Sequence, residues 1–175
     1  HEGECPICFL PIPLGRDKST FMSCCGQTIC NGCCYAHVMS NEHDKLKASK
    51  CVFCRTSVLD QEEYRKRERE RIEANDPPTL CFVGTEGYEE GNYDKAFEYY
   101  TKAAELGDIE AHYKLGLLYY EGTGVEKDME KAIYHWEKAA IGGHHTARHN
   151  LAVEEAKNGN VEKAMKHWII AANLG

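Results

Sequence analysis

The sequence predicts two bodies of different class: a small cysteine-rich domain cross-braced by metal, and an all-α solenoid of helical hairpins. Three observations carry this. Eight of the ten cysteines fall in four close pairs within the first 54 residues: Cys5 and Cys8, Cys24 and Cys25, Cys30 and Cys33, Cys51 and Cys54. The second half of the chain repeats itself at intervals of 36 and 32 residues. Between them lies an almost wholly charged stretch that runs into Pro77-Pro78.

Residues 1–59 form the first body. They hold nine cysteines and few aliphatic runs, too little apolar material to order about 60 residues without cross-links or metal. The chain opens on His1 rather than Met, as an excerpt would, and it begins without the charge and hydropathy order of a signal peptide. A reducing intracellular compartment, cytoplasmic or nuclear, is therefore expected, and there cysteines serve as metal ligands more often than as disulfides.

A C-x-x-C turn sets two sulfurs on one metal, and two such turns complete a tetrahedral zinc site. In a cross-braced finger the first pair shares a metal with the third and the second with the fourth. This assigns Cys5, Cys8, Cys30 and Cys33 to one structural zinc and Cys24, Cys25, Cys51 and Cys54 to another. Two sequential sites, or disulfides, are the alternatives. For the adjacent ligand Cys24 the competitor is His37, four residues after Cys33. Cys34 reads as a half-exposed thiol and Cys81 as core packing.

The interleaving resembles the RING finger, with 15 residues between Cys8 and Cys24 and 17 between Cys33 and Cys51. Gln27 stands where a common RING finger has a histidine ligand, so SCCGQTIC resembles the all-cysteine variants with an adjacent CCG. The resemblance implies docking of a ubiquitin-charged conjugating enzyme on an apolar groove made by Ile7 on one side and Val52 and Phe53 on the other. It also implies a linchpin role for Arg55, whose planar fork can serve the conjugating enzyme and ubiquitin at once. Ile7 as core packing and Arg55 as a solvated charge are the plainer readings. Two family features are absent: a tryptophan after Cys33, and the CPxC form of the last pair, here CVFC, while Pro11 and Pro13 stand in the first loop.

Residues 60–78 form a charged helical linker. Asp60 with Glu63 has capping-box spacing, and Glu62 with Lys66 and Glu63 with Arg67 are four apart in the favourable orientation, each contributing about 0.3 kcal/mol. Pro77 and Pro78 are expected to end the helix. A solvated spacer is the plain reading of this stretch; RKRER as a nucleic-acid or nuclear-import patch is the alternative.

Residues 79–175 divide into repeats at 79–110, 111–146 and 147–175. KAFEYYTKAAELG, KAIYHWEKAAIGG and KAMKHWIIAANLG correspond, and upstream of each lie the matching residues Gly84, Gly116 and Ala152. This period means stacked helical hairpins. Ala96, Ala132 and Ala164 let helices approach, Tyr100, Trp136 and Trp168 fill the space between hairpins, and Asn92, Asp128 and Asn160 cap the second helices. Gly107 and Gly143 supply left-handed ends. The middle repeat, Ala111 through Ala140, resembles the Sel-one-like repeats, relatives of the tetratricopeptide repeat. No polar capping helix precedes Gly175, so the natural solenoid is expected to continue.

The net charge of -7 argues against a general nucleic-acid binder, and no run reaches the roughly 18 apolar residues that span a bilayer. Residues 1–59 are formally +1, and eight thiolates with two dications bring the loaded finger to about -3, unsuited to DNA phosphates. A four-thiolate zinc leaves no open position for hydrolytic chemistry. His144, His145 and His149 read as a surface cap.

Three functions are compatible with these features. The first is a RING-type ubiquitin ligase, its partners a conjugating enzyme and ubiquitin on the finger and a protein or peptide substrate on the repeats. The second is a non-enzymatic scaffold with a structural zinc finger. The third, a reader of histone tails or lipid headgroups, lacks the aromatic cage or basic motif it needs.

Overall fold

The structure is a computed structural model that describes residues 4–10, 12, 19–41, 49–57 and 60–174. Two units divide it, His1–Thr79 and Leu80–Gly175.

In the first unit, β1 (Ser19–Met22) pairs antiparallel with β2 (Gln27–Cys30), in a register that sets Ser19 opposite Cys30 and Met22 opposite Gln27. The turn between them carries Cys24 and Cys25 and closes through Gly26, whose φ of +67° is left-handed. α1 (Asn31–Ser40) follows directly, with Cys30 as its N-cap and no buried residue of its own. α2 (Gln61–Glu73) starts at Asp60, whose side chain accepts from the Glu63 N–H at 3.1 Å. Glu63 pairs with Arg67 at 3.3 Å, whereas Lys66 lies 4.0 Å from Glu70, one turn after it, and not from the expected Glu62, one turn before it.

α2 differs from the expected spacer in two respects. It ends before the prolines: Asn75 turns left-handed at φ +54°, and Pro77 and Pro78 open the following helix, where a proline's missing N–H has no intrahelical partner to lose. It also docks against its own unit. The Ser23 hydroxyl, 1% exposed, donates to the Tyr64 hydroxyl at 2.7 Å. Arg71 bridges Asp76 at 2.6 Å and donates from Nε to the Thr79 hydroxyl at 3.0 Å.

The second unit is built from α3 (Pro77–Glu89), α4 (Tyr93–Glu105), α5 (Ile109–Glu121), α6 (Met129–Ile141), α7 (His145–Lys157) and α8 (Val161–Leu174). The unit boundary falls in the first turn of α3. Asn92 and Asp128 cap α4 and α6 by accepting from the Lys95 and Lys131 N–H groups. Asp108 and His144 do the same for α5 and α7, so these helices begin at Ile109 and His145, two residues before the divisions read from the sequence. The cap, not the first matching alanine, starts the helix. Gly107 and Gly143 take φ of +89° and +94°.

The small residues mark where helices cross. Ala96, Ala132 and Ala164 are fully buried, as are Tyr100 and Trp136. A Cβ on Gly84 would stand 2.7 Å from the Tyr100 ring, and one on Gly116 would overlap the Trp136 indole. Trp168 departs from the expected core role at 37% exposed. Its repeat has Ala152, fully buried, where the others have glycine.

Candidate metal centres and a groove on the repeats

The four cysteine pairs converge two by two. The sulfurs of Cys5, Cys8, Cys30 and Cys33 all lie within 4.8 Å of one another, and so do those of Cys24, Cys25, Cys51 and Cys54. With Zn–S bonds of about 2.3 Å, the edge of a four-sulfur tetrahedron is about 3.8 Å. Cys8 to Cys30 is 3.8 Å, Cys25 to Cys51 3.6 Å and Cys24 to Cys54 3.5 Å. These spacings fit a tetrahedral metal and are far longer than an S–S bond. His37 stands apart from this geometry, with Nε2 3.1 Å from the Lys50 carbonyl oxygen.

Backbone turns create the convergence. Phe9 N–H donates to the Cys5 carbonyl and Cys5 N–H to the Leu10 carbonyl, both at 2.8 Å. The same two bonds recur at Arg55 to Cys51, 3.1 Å, and Cys51 to Thr56, 2.9 Å. In each knuckle the residue after the second cysteine is left-handed, Phe9 at +59° and Arg55 at +63°, as Gly26 is after Cys25. A glycine is the usual sequence signal for that backbone, and only the middle pair has one.

The thiols answer to this packing. Burial opposes ionisation of Cys5, but backbone bonds from Cys8, Cys30 and Ile7 draw it down to about 6. Burial likewise opposes Cys54, yet bonds from the Thr56 hydroxyl and amide bring it to about 7. Burial and neighbouring thiols push Cys33 up to about 12 and raise Cys24 further. A bound dication would replace these protons and make all four sulfurs of a cluster thiolates.

The residues that the RING resemblance assigns to docking are exposed or half-buried. Ile7 is 42% exposed, which sets aside the core reading; Val52 and Phe53 are half-buried, and Arg55 is exposed. Pro11 and Pro13 lie outside the described residues. Cys34 is half-buried, whereas Cys81 is buried and its thiol is raised by that burial.

One feature was not read from the sequence. A groove of about 370 Å³ on the repeats is lined by Phe97 and Thr101 of α4, His112 and Tyr119 of α5, and His135 and Lys138 of α6, among others. The Nδ1 atoms of His112 and His135 face each other at 3.0 Å, with ring centroids 5.3 Å apart, the head-on arrangement of a shared N–H···N bond. The Thr101 hydroxyl is buried with no partner. No sequence signal marks the pair, because 23 residues separate the two histidines and only the hairpin brings them together. His144, expected in a surface cap, is the side-chain cap of α7 and lies 3.0 Å from Glu110.

The histidine pair gives a pH expectation. Burial, then the Lys138 charge, lowers His112; burial, then His112, lowers His135 to about 4. The unfolded chain therefore binds more protons than the folded one between about pH 6.5 and 4, and stability falls as pH drops through that window. The urea midpoint of the repeats should be lower at pH 5 than at pH 7.5, and His135→Phe should flatten the difference. An equal slope in both proteins would contradict this.

The repeats match known proteins. The Sel1 repeat family matches residues 80–108, 109–144 and 147–175. DAP3-binding cell death enhancer 1 of Mus musculus is 35% identical over 93 residues, 53% of this chain and 16% of that protein. Putative beta-lactamase HcpC of Helicobacter pylori is 39% identical over 56 residues, 32% of this chain and 19% of that protein. ERAD-associated E3 ubiquitin-protein ligase component HRD3B of Arabidopsis thaliana is 47% identical over 51 residues, 29% of this chain and 8% of that protein. The chain thus spans less than a fifth of these relatives. A Sel1 repeat protein from Oxalobacter formigenes superposes with a TM-score of 0.58 at 25% identity, over 67% of this chain and 53% of that one. No RING or zinc-finger family is detected.

Proposed function

This chain belongs to the Sel1 repeat family, and from that premise we propose that it is an interaction scaffold in which the repeats hold a partner protein and a zinc-braced finger presents a second surface. Sel1 repeats bind partner proteins. The groove of α4, α5 and α6 carries the reading for this chain, since it combines aromatic walls, a buried hydroxyl without a partner and the Lys138 ammonium at one place. Such convergence of apolar walls with a few polar groups is what fixes a bound segment in one pose. Cys5, Cys8, Cys30 and Cys33 would hold one structural zinc and Cys24, Cys25, Cys51 and Cys54 the other, which supply folding energy and no chemistry. Thiols reserved for zinc must stay reduced, so a reducing compartment, cytoplasmic or nuclear, goes with this reading.

A photo-crosslinker in place of Tyr134, a groove residue 52% exposed, tests the partner reading. One protein should be trapped reproducibly, and Lys138→Glu should remove it. Trapping that persists in Lys138→Glu, or that is equal from an outward position such as Glu137, would sink the assignment.

A second reading, a RING-type ubiquitin ligase, is favoured by the crossing of the sulfur clusters together with the exposure of Ile7 and Arg55 and the partial exposure of Val52 and Phe53. HRD3B, a component of an E3 ubiquitin-protein ligase, is a relative of the repeats and adds support only at that level. Autoubiquitination across a panel of conjugating enzymes separates the two. A ligase forms conjugates that Ile7→Ala and Arg55→Ala each abolish; a scaffold forms none with any enzyme of the panel.

A further inference from the structure

The adjacent cysteines Cys24 and Cys25 are held from both sides by α2. Ser23, immediately before them, is buried and donates to the Tyr64 hydroxyl at 2.7 Å. Gly26, immediately after them, lies so close under the Arg71 guanidinium that a Cβ there would overlap it. Tyr64 and Arg71 are seven residues apart, two turns of one helix face. Asp76 and Thr79 fix the same guanidinium, through Nη2 at 2.6 Å and Nε at 3.0 Å.

Four thiolates around one dication leave a charge of about -2, and adjacent ligands strain the tetrahedron further. Such a centre depends on the groups that orient its ligands and on nearby positive charge. We infer that α2 is the outer shell of the second metal centre, with Tyr64 and Arg71 as positioning residues that set how firmly Cys24, Cys25, Cys51 and Cys54 retain zinc. The helix that reads as a linker therefore completes the finger. The two residues act through different bonds: Tyr64 fixes the Ser23 side of the turn, and Arg71 covers the Gly26 side and supplies charge. This inference rests on the metal reading proposed above, and the two fail differently.

The test is chelator-driven zinc release from the full zinc-loaded chain at neutral pH, followed with a colorimetric zinc indicator. The wild type should release two zincs per chain. Tyr64→Phe and Arg71→Gln should each speed release of one of the two by about tenfold or more, the range in which outer-shell losses fall. Arg71→Lys, which keeps the charge and loses the fork, should lie between. Cadmium-113 substitution identifies the site: only the resonance that Cys51→Ser removes should shift in these variants. Gly26→Ala should speed the same release, and the increment it adds should be smaller in an Arg71→Gly background than in the wild type, because the overlap is then gone and only the left-handed strain remains. Equal acceleration of both zincs, or of neither, would overturn the outer-shell role. Fewer than two zincs in the wild type would overturn the metal reading, and this inference with it.

Discussion

Chelation of the loaded full chain is expected to unfold the first unit and leave the helices of the second intact. The reason is the composition of the first core. Among its described residues within 1–59, the buried apolar side chains are Cys5, Cys24, Cys51 and Ile29, so three of the four belong to the candidate metal clusters. β1 and β2 are four residues each, and α1 buries no side chain. A two-stranded ribbon of this length does not persist alone in water. Each structural zinc contributes apparent binding energy of about 10–16 kcal/mol at pH 7, which in such a unit is folding energy. Elemental analysis should return two zincs per chain, and Cys5→Ser and Cys51→Ser should each lose one. After chelation, far-ultraviolet circular dichroism should keep most of its helical signal while hydrogen exchange becomes fast in 19–40 and 61–73. Protection of those segments without metal would show that the finger folds by other means.

Trp136→Ala should be the most damaging single substitution in the repeats, at about 3–5 kcal/mol. The indole is 2% exposed and packs with Ala139, Ala140, Ala147 and Leu151, residues contributed by α6 and α7. Ile109, Tyr113, Leu117 and Tyr120 of α5 close the same cluster. Its loss would leave a cavity that three helices share and that Gly116, without a side chain, cannot fill. A typical domain is stable by about 5–15 kcal/mol, so the denaturant midpoint should fall steeply and cooperativity between hairpins should weaken. Trp168→Ala, at a ring already 37% exposed, should cost markedly less. Equal losses at both positions would mean that the middle repeat is not the keystone of the stack.

The repeats were legible because their signals are local. Asn92 and Asp128 announce helix starts, Gly107 and Gly143 announce ends, and Ala96, Ala132 and Ala164 recur at the period of one hairpin. The cysteine clustering was equally legible, since two thiols with two residues between them can turn toward one centre, and the four pairs do converge two by two. Other features were not. Phe9 and Arg55 take a left-handed backbone that nothing in their identity announces, because the knuckle's two hydrogen bonds impose it. The charged helix looked like a solvated spacer because 12 of its 17 residues, counted over 60–76, carry charge, yet the few contacts that seat it run through one tyrosine and one arginine.

The sequence by itself determined most of the elements: which segments of the repeats are helices, where most of them are capped, and which cysteines come in pairs. Spacing and caps act within a few residues of each other, and a chain carries that information along its length. Tertiary structure alone decided which elements share a centre. It brought the first cysteine pair to the third and the second to the fourth, set Tyr64 and Arg71 on either side of Cys24 and Cys25, and faced His112 to His135 across the middle hairpin. Such pairings depend on packing between distant segments, where burial and steric fit decide and local propensity has no vote.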